Sequence, residues 1–200
     1  GLSLEWTSDV PPASGLGSGG CAFTAMVTAL DAFRPASPSL NERAAWAHQG
    51  DIVAHGGVAS ALDSQTSLFG GVIRFAGQGL AEPVSCAPGL CLVVGNTGVI
   101  AATSEVNARV RNWLDEKPRH RLPYFQTIGA LTRAAIPALE RGDWDELGRL
   151  FNLNQLVLEK IGVGCPAADE LIEAALTAGA FGAKISGSGG GGIVVALASP

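Results

Sequence analysis

Apolar and polar side chains alternate over Leu2-Ser3-Leu4-Glu5-Trp6-Thr7-Ser8, the period of a half-buried strand. A strand needs partners and none precedes this one, so the chain is expected to be the C-terminal part of a longer protein. After a proline-rich turn and a glycine stretch the period changes. Ala22, Phe23, Met26, Val27 and Leu30 recur at helical spacing, which predicts a helix over 18–33 that Pro35 and Pro38 end. Ser39-Leu40-Asn41-Glu42 is a capping box and opens a second helix to about Val53. Residues 56–63 read as loop leading to a short helix or turn, and 70–75 as a strand. The Gly- and Pro-rich stretch 77–89 is expected to be a loop and a domain boundary, dividing the chain into 1–80 and 81–200.

Residues 90–94 read as a buried strand and 104–114 as a helix, followed by a loop holding Pro118 and Pro123. Helical patterns then cover 125–141, 144–161 and 166–178, with a kink expected at Pro137. Pro166 suits a first helical turn, and Gly179 suits the position just past a helix end. The last strand-like runs, 183–186 and 193–197, flank a glycine tract, which predicts a tight loop between strands and not a flexible linker. Strands and helices mix without a strict βαβ rhythm, so the expected class is α+β.

Composition narrows the function. The chain is 47% hydrophobic and 16% charged over 200 residues, enough to build a packed core. The net charge is −5 and the lysines and arginines are scattered, which argues against a nucleic-acid or membrane surface. No apolar run is long enough to span a bilayer, and the start does not read as a signal peptide. Cys21, Cys86, Cys91 and Cys165 form no CxxC pair, and His48, His55 and His120 lie far from metal-ligand spacing with them. Buried free thiols in a reducing cytoplasm are therefore expected, with no zinc site.

Three constellations carry chemistry. Gly15-Leu16-Gly17-Ser18-Gly19-Gly20 runs straight into the first helix, where bare backbone N–H groups and a helix N-terminus attract phosphate. It formally matches G-x-G-x-x-G, but no strand ends directly before it and no acidic residue follows about 20 positions later. It lacks the Gly-Lys-Ser/Thr of a P-loop. A different phosphate loop, with the Ser18 hydroxyl near phosphate or Mg²⁺, and a tight helix-entry turn remain open. In the second constellation Asp63 is followed by Ser64, Gln65, Thr66 and Ser67; it suits either a base accepting a proton from an alcohol or a turn and cap residue. The third is Lys184-Ile185-Ser186-Gly187-Ser188-Gly189-Gly190-Gly191-Gly192, whose missing side chains admit a ligand or another loop.

In this order the three loops resemble the GHMP kinase superfamily, and within it the mevalonate kinases of archaea and some bacteria. PPASGLGSGG resembles P-x-x-x-G-L-G-S-S-A. GGVASALDSQTSLFGG is similar to G-x-A-S-x-x-D-T-x-T-S-x-x-G-G, and KISGSGGGG to K-L-T-G-A-G-G-G-G. Gly95-Asn96-Thr97-Gly98-Val99 with Thr103 and Glu105 is similar to D-T-G-V-x-x-S-T-x-E, and Asn152-Leu153-Asn154-Gln155 with Ile161-Gly162-Val163 looks like the same family's C-terminal region. The resemblance implies a partial fold: a remnant of an N-terminal ribosomal-protein-S5-like domain and a ferredoxin-like C-terminal domain, with ATP between them. It implies phosphorylation of the 5-hydroxyl of mevalonate in isoprenoid precursor synthesis, with Mg²⁺, in the cytoplasm, by a possible homodimer.

Carried over by residue, Asp63 is the catalytic aspartate. Gly15, Leu16, Gly17, Ser18, Gly19 and Gly20 hold the ATP phosphates, supported by Gly187, Ser188, Gly189 and Gly190. Ser18 and Asp51 are the Mg²⁺ ligands; matching Asp51 needs one inserted residue near Gly56-Gly57, and Glu42 is a poorer alternative because it caps its helix. Gly19 departs from the family serine, and the first motif, P-G-K-x-x-L-x-G-E-H, has no counterpart, so the isolated 200 residues are expected to be inactive. Substrate panels would separate a phosphomevalonate kinase or a galactokinase. An NAD-binding oxidoreductase predicts a parallel sheet around Gly15–Gly20, and a non-catalytic interaction module predicts no ATP binding.

Overall fold

The computed structural model describes residues 3–10, 15–54, 56–57, 59–100 and 102–199. Three helices come first: α1 (Ser18–Asp31), α2 (Leu40–Ala54) and α3 (Leu62–Phe69). The predicted capping box is present. Glu42 Oε2 accepts from the Ser39 N–H and hydroxyl at 2.8 and 2.7 Å, and Ser39 Oγ accepts from the Glu42 N–H at 3.3 Å. Helix α2 buries Ala44, Ala47 and Asp51, one helical face of mostly small residues. That face lets α1 come close: a Cβ at Gly50 would collide with the Phe23 ring. An ion pair from Arg43 to Asp31, at 2.5 Å, ties the start of α2 to the end of α1.

A hairpin follows, β1 (Val72–Arg74) with β2 (Glu82–Val84), in the register Val72↔Val84. Strand β2 lies inside the stretch expected to be loop. Three residues including Pro83 carry no readable period; pairing with β1 and an Arg74–Glu82 contact at 2.7 Å supply the order instead. Residues 3–8, the described part of the strand expected over 2–8, form none and are exposed; their alternation finds no ladder partner among the described residues.

The second half contains β3 (Cys91–Asn96), α4 (Thr103–Glu116), α5 (Pro118–Arg141), α6 (Trp144–Ile161), α7 (Pro166–Thr177), β4 (Gly182–Ser186) and β5 (Ile193–Ala198). The strands form an antiparallel sheet in the order β3-β5-β4. One face buries Ala183, Ile185, Val194 and Ala196 against Ala168 of α7. On the other, Leu197 joins Ala138 of α5 and Leu147 of α6. Burying a side chain such as Ile185 or Leu197 contributes about 1.5–3 kcal/mol each. Pro166 opens α7, and Gly179 follows its end with φ 93°, as expected.

Three expectations change here. Strand β3 is not buried: Leu92, Val93 and Val94 are each about half exposed, because β3 is an edge strand paired only with β5 among the described residues. Residues 118–123 are helix and not loop. Pro118 sits at the first position, where its missing N–H loses nothing, and the rings of Trp113, His120 and Tyr124 cluster with centroids 5.6–6.4 Å apart, holding the start of α5 to α4. Pro137 lies inside α5, in keeping with the helical pattern over 125–141. Finally, all four thiols are free as expected, but Cys86 is exposed and the other three are half-buried. Among the described residues no helix is long and apolar enough to cross a membrane.

Candidate active site

Helix α1 begins on glycines for a steric reason. Gly17, its N-cap, has φ 70° and ψ 28°, a left-handed conformation that disfavours a side chain. A Cβ there would also lie 2.8 Å from Asp63 Cγ, and one at Gly20 would lie 2.5 Å from the Ser64 nitrogen and 2.7 Å from Asp63 Cβ. The first turn of α1 therefore rests directly on Asp63. Gly17 has no side chain to cap this end of α1, which leaves a helix N-terminus suited to an anion.

Asp63 is in the first turn of α3 and exposed. The N-cap of α3 is Ala61, so Asp63 is not the capping residue that its place after a loop also suggested. Both helix N-termini bring positive ends toward its carboxylate. Its helix is fixed from the side: Thr24 Oγ1 lies 3.0 Å from the Ser64 carbonyl oxygen and donates to it, and Ser64 is fully buried.

The glycine tract 187–192 is the turn between β4 and β5, as expected of a tight loop. Backbone bonds shape it. The Gly190 N–H donates to Val163 O at 2.8 Å and the Gly192 N–H to Val99 O at 2.9 Å, while Gly192 O accepts from the Thr97 N–H and hydroxyl, each at 2.9 Å. It also meets the first glycine loop: a Cβ on Gly187 would stand 3.5 Å from Gly15 O, and one on Gly15 would stand 3.8 Å from Gly192 Cα. Between them lies a cavity of about 190 Å³, lined by Gly15, Thr103, Ser186, Ser188, Gly189, Gly191 and Gly192. Gly15 faces this cavity, and Gly17, two residues on, touches Asp63.

The remaining candidates fall as follows. Ser18 and Gly19 are half-buried in the first turn of α1, and Leu16 is exposed before it. Asp51 is buried in α2, one residue on from Gly50, which packs against Phe23 of α1. Glu42 is engaged in the capping box. Lys184 donates to Ile185 O at 2.6 Å, and burial holds its amine below the ordinary lysine range. Thr103 was not singled out as a site residue in the sequence, although it belongs to the 95–105 motif. It opens α4 at the cavity, and its hydroxyl lies 3.4 Å from Ser188 Oγ.

The dinucleotide reading fails on this geometry. Among the described residues every strand pair is antiparallel, and no strand leads into Gly15–Gly20.

The site thus joins two glycine loops that meet at Gly15 and Gly187, the first of them resting on Asp63, in a fold of antiparallel sheets packed with helices. Family models match the chain: "GHMP kinases N terminal domain" matches residues 1–71 and "GHMP kinases C terminal" matches residues 135–200. The chain belongs to the GHMP kinases, in a partial α+β form of their fold. It is 35% identical over 203 residues to the mevalonate kinase of Pyrococcus horikoshii, matching 99% of this chain and 60% of that protein. The structure of L. major mevalonate kinase in complex with R-mevalonate superposes with a TM-score of 0.85 at 30% identity, over 96% of this chain and 59% of that one. Lactococcus lactis galactokinase shares the fold, with a TM-score of 0.75 at 21% identity over 96% of this chain and 60% of that one. The chain thus spans about 60% of the length of these relatives.

Proposed function

We propose that the protein carrying this chain is an ATP-dependent kinase that phosphorylates the 5-hydroxyl of mevalonate. The observation that carries the reading is the junction of the two glycine loops at Gly15 and Gly187, with Asp63 against Gly17. The name of the P. horikoshii relative supports mevalonate as the alcohol.

The donor set fits a phosphate chain. Gly15 and Gly187 carry no side chains where the two loops meet, the Gly17 N-cap supplies no side-chain cap to α1, and Ser186, Ser188 and Thr103 add hydroxyls at the cavity wall. Asp63 takes the proton from the substrate hydroxyl. The oxygen thus activated bonds to the γ-phosphorus while the bond from that phosphorus to the β,γ-bridging oxygen breaks, releasing ADP. Asp63 then returns its proton to solvent. Little more than positioning and charge neutralisation is asked of the protein. A Mg²⁺ ion needs only one or two protein oxygens beside phosphates and water, which suits the Ser18 hydroxyl and Asp51 carboxylate as its ligands; bound there, it would neutralise phosphate charge. Among the described residues no group of three His, Cys, Asp or Glu forms a larger metal site. The same resemblance supports a homodimer in the cytoplasm.

A coupled assay of ADP release by the full-length gene product tests the reading, with mevalonate, phosphomevalonate and galactose offered in turn. Mevalonate is expected to drive turnover far above the other two. Turnover with another alcohol alone would replace the substrate, and turnover with none would remove the kinase reading.

A further inference from the structure

Helix α3 is eight residues long, too short to hold its shape alone in water. Thr24 and Gly20 fix it toward α1. On another side lies Gln65, 4% exposed and buried with both ends of its carboxamide in use. Nε2 donates to Gly79 O at 2.9 Å, and Oε1 accepts from the Ala81 N–H at 2.5 Å. Gly79 and Ala81 lie at the end of the connection from β1 to β2, and Ala81 is itself buried. The main chain already joins α3 to β1 through Gly70 and Gly71, so the amide closes a ring from residue 65 round to residue 81. Two residues along a helix turn the side chain by about 200°. Gln65 therefore points away from Asp63, into the protein, while Asp63 stays exposed.

We propose that Gln65 is the positioning residue for Asp63, holding α3 through the β1–β2 connection so that the carboxylate stays against Gly17 and Gly20. The inference rests on Asp63 being the base. Gln65 touches no reacting atom in this role; it removes the freedom of α3 to tilt or fray. Its bonds go to backbone atoms 14 and 16 residues away, so the amide is tied to the hairpin's course and not to a neighbouring side chain.

The test is a double-mutant cycle of Gln65→Met and Asp63→Asn in the full-length gene product, with mevalonate and ATP as substrates. Methionine keeps the length and loses both bonds. A misplacement of about 1 Å costs on the order of a hundredfold, so kcat in Gln65→Met is expected to fall by about 10- to 100-fold. The KM for ATP should stay within about twofold. In the Asp63→Asn background the same change should cost less than about twofold, because the group being positioned is gone. An equal loss in both backgrounds, or a loss confined to KM, overturns the proposal. If Asp63→Asn leaves kcat unchanged, the base reading fails and this inference with it, a result distinct from additivity. Should Gln65→Met not melt cooperatively, Gln65→Glu carries the same cycle, since it keeps an acceptor for the Ala81 N–H.

Discussion

Asp63 owes its surroundings to two missing side chains. With any Cβ at Gly17 or Gly20 the first turn of α1 would have to lift from α3. Gly20→Ala is therefore expected to cost about 1–3 kcal/mol of stability, as overpacking does; a denaturation curve unchanged from wild type would mean that the α1–α3 contact gives way freely. Lys184 supplies a different prediction. Burial lowers its amine's pKa below the ordinary 10.5, so the unfolded chain binds more protons between the folded value and 10.5. The cost of burying the charge is present in full below that window and is relieved as pH rises through it. Unfolding free energies of wild type should gain on those of Lys184→Met as pH climbs toward 10.5; parallel pH profiles would contradict this. Asp63 could be singled out in the sequence as a candidate because the segment around it has a pattern. Gln65 as a clamp was not, since its partners are backbone atoms that no residue type announces.

Elements were readable where local chemistry and tertiary packing agree. The capping box marked α2 because its bonds join residues three apart. Ser39→Ala should destabilise the chain by about 1 kcal/mol, measured by thermal or denaturant melts. Hydrogen bonding from Ser39 also holds the Glu42 carboxyl below its ordinary 4.5. The benefit of that shift is present above 4.5 and is lost as pH falls through the lower folded value, so the gap between wild type and Ser39→Ala should narrow in acid. A gap independent of pH would contradict the box. Where tertiary contacts decide, the pattern failed. A cluster of three rings overrides two prolines at the start of α5, and pairing alone makes β2 a strand. Helix α6 shows the same rule on the free edge of β4: Asn152 Oδ1 and Gln155 Oε1 accept from the Ala183 and Ile185 N–H groups at 3.0 and 2.9 Å, taking the place of a neighbouring strand.

At the scale of the whole molecule, residues more than 160 positions apart meet at Gly15 and Gly187, so the site exists only once both halves are folded. Each loop alone is a weak signal. Their order in the sequence carried the family, and the family models bear it out at both ends of the chain. The geometry adds how the parts fit: Gly15 at the cavity, Gly17 on Asp63, and the 187–192 turn held by Val99 and Val163. On the proposed function, nucleotide binding belongs to the glycine loops and proton removal to Asp63. The most direct measurement compares Asp63→Asn with wild type in the full-length gene product, reading kcat for mevalonate-dependent ADP release beside the ATP dissociation constant from titration. A loss of about a hundredfold or more in kcat is expected, with ATP affinity nearly unchanged. An equal loss of both, or neither, would contradict the account.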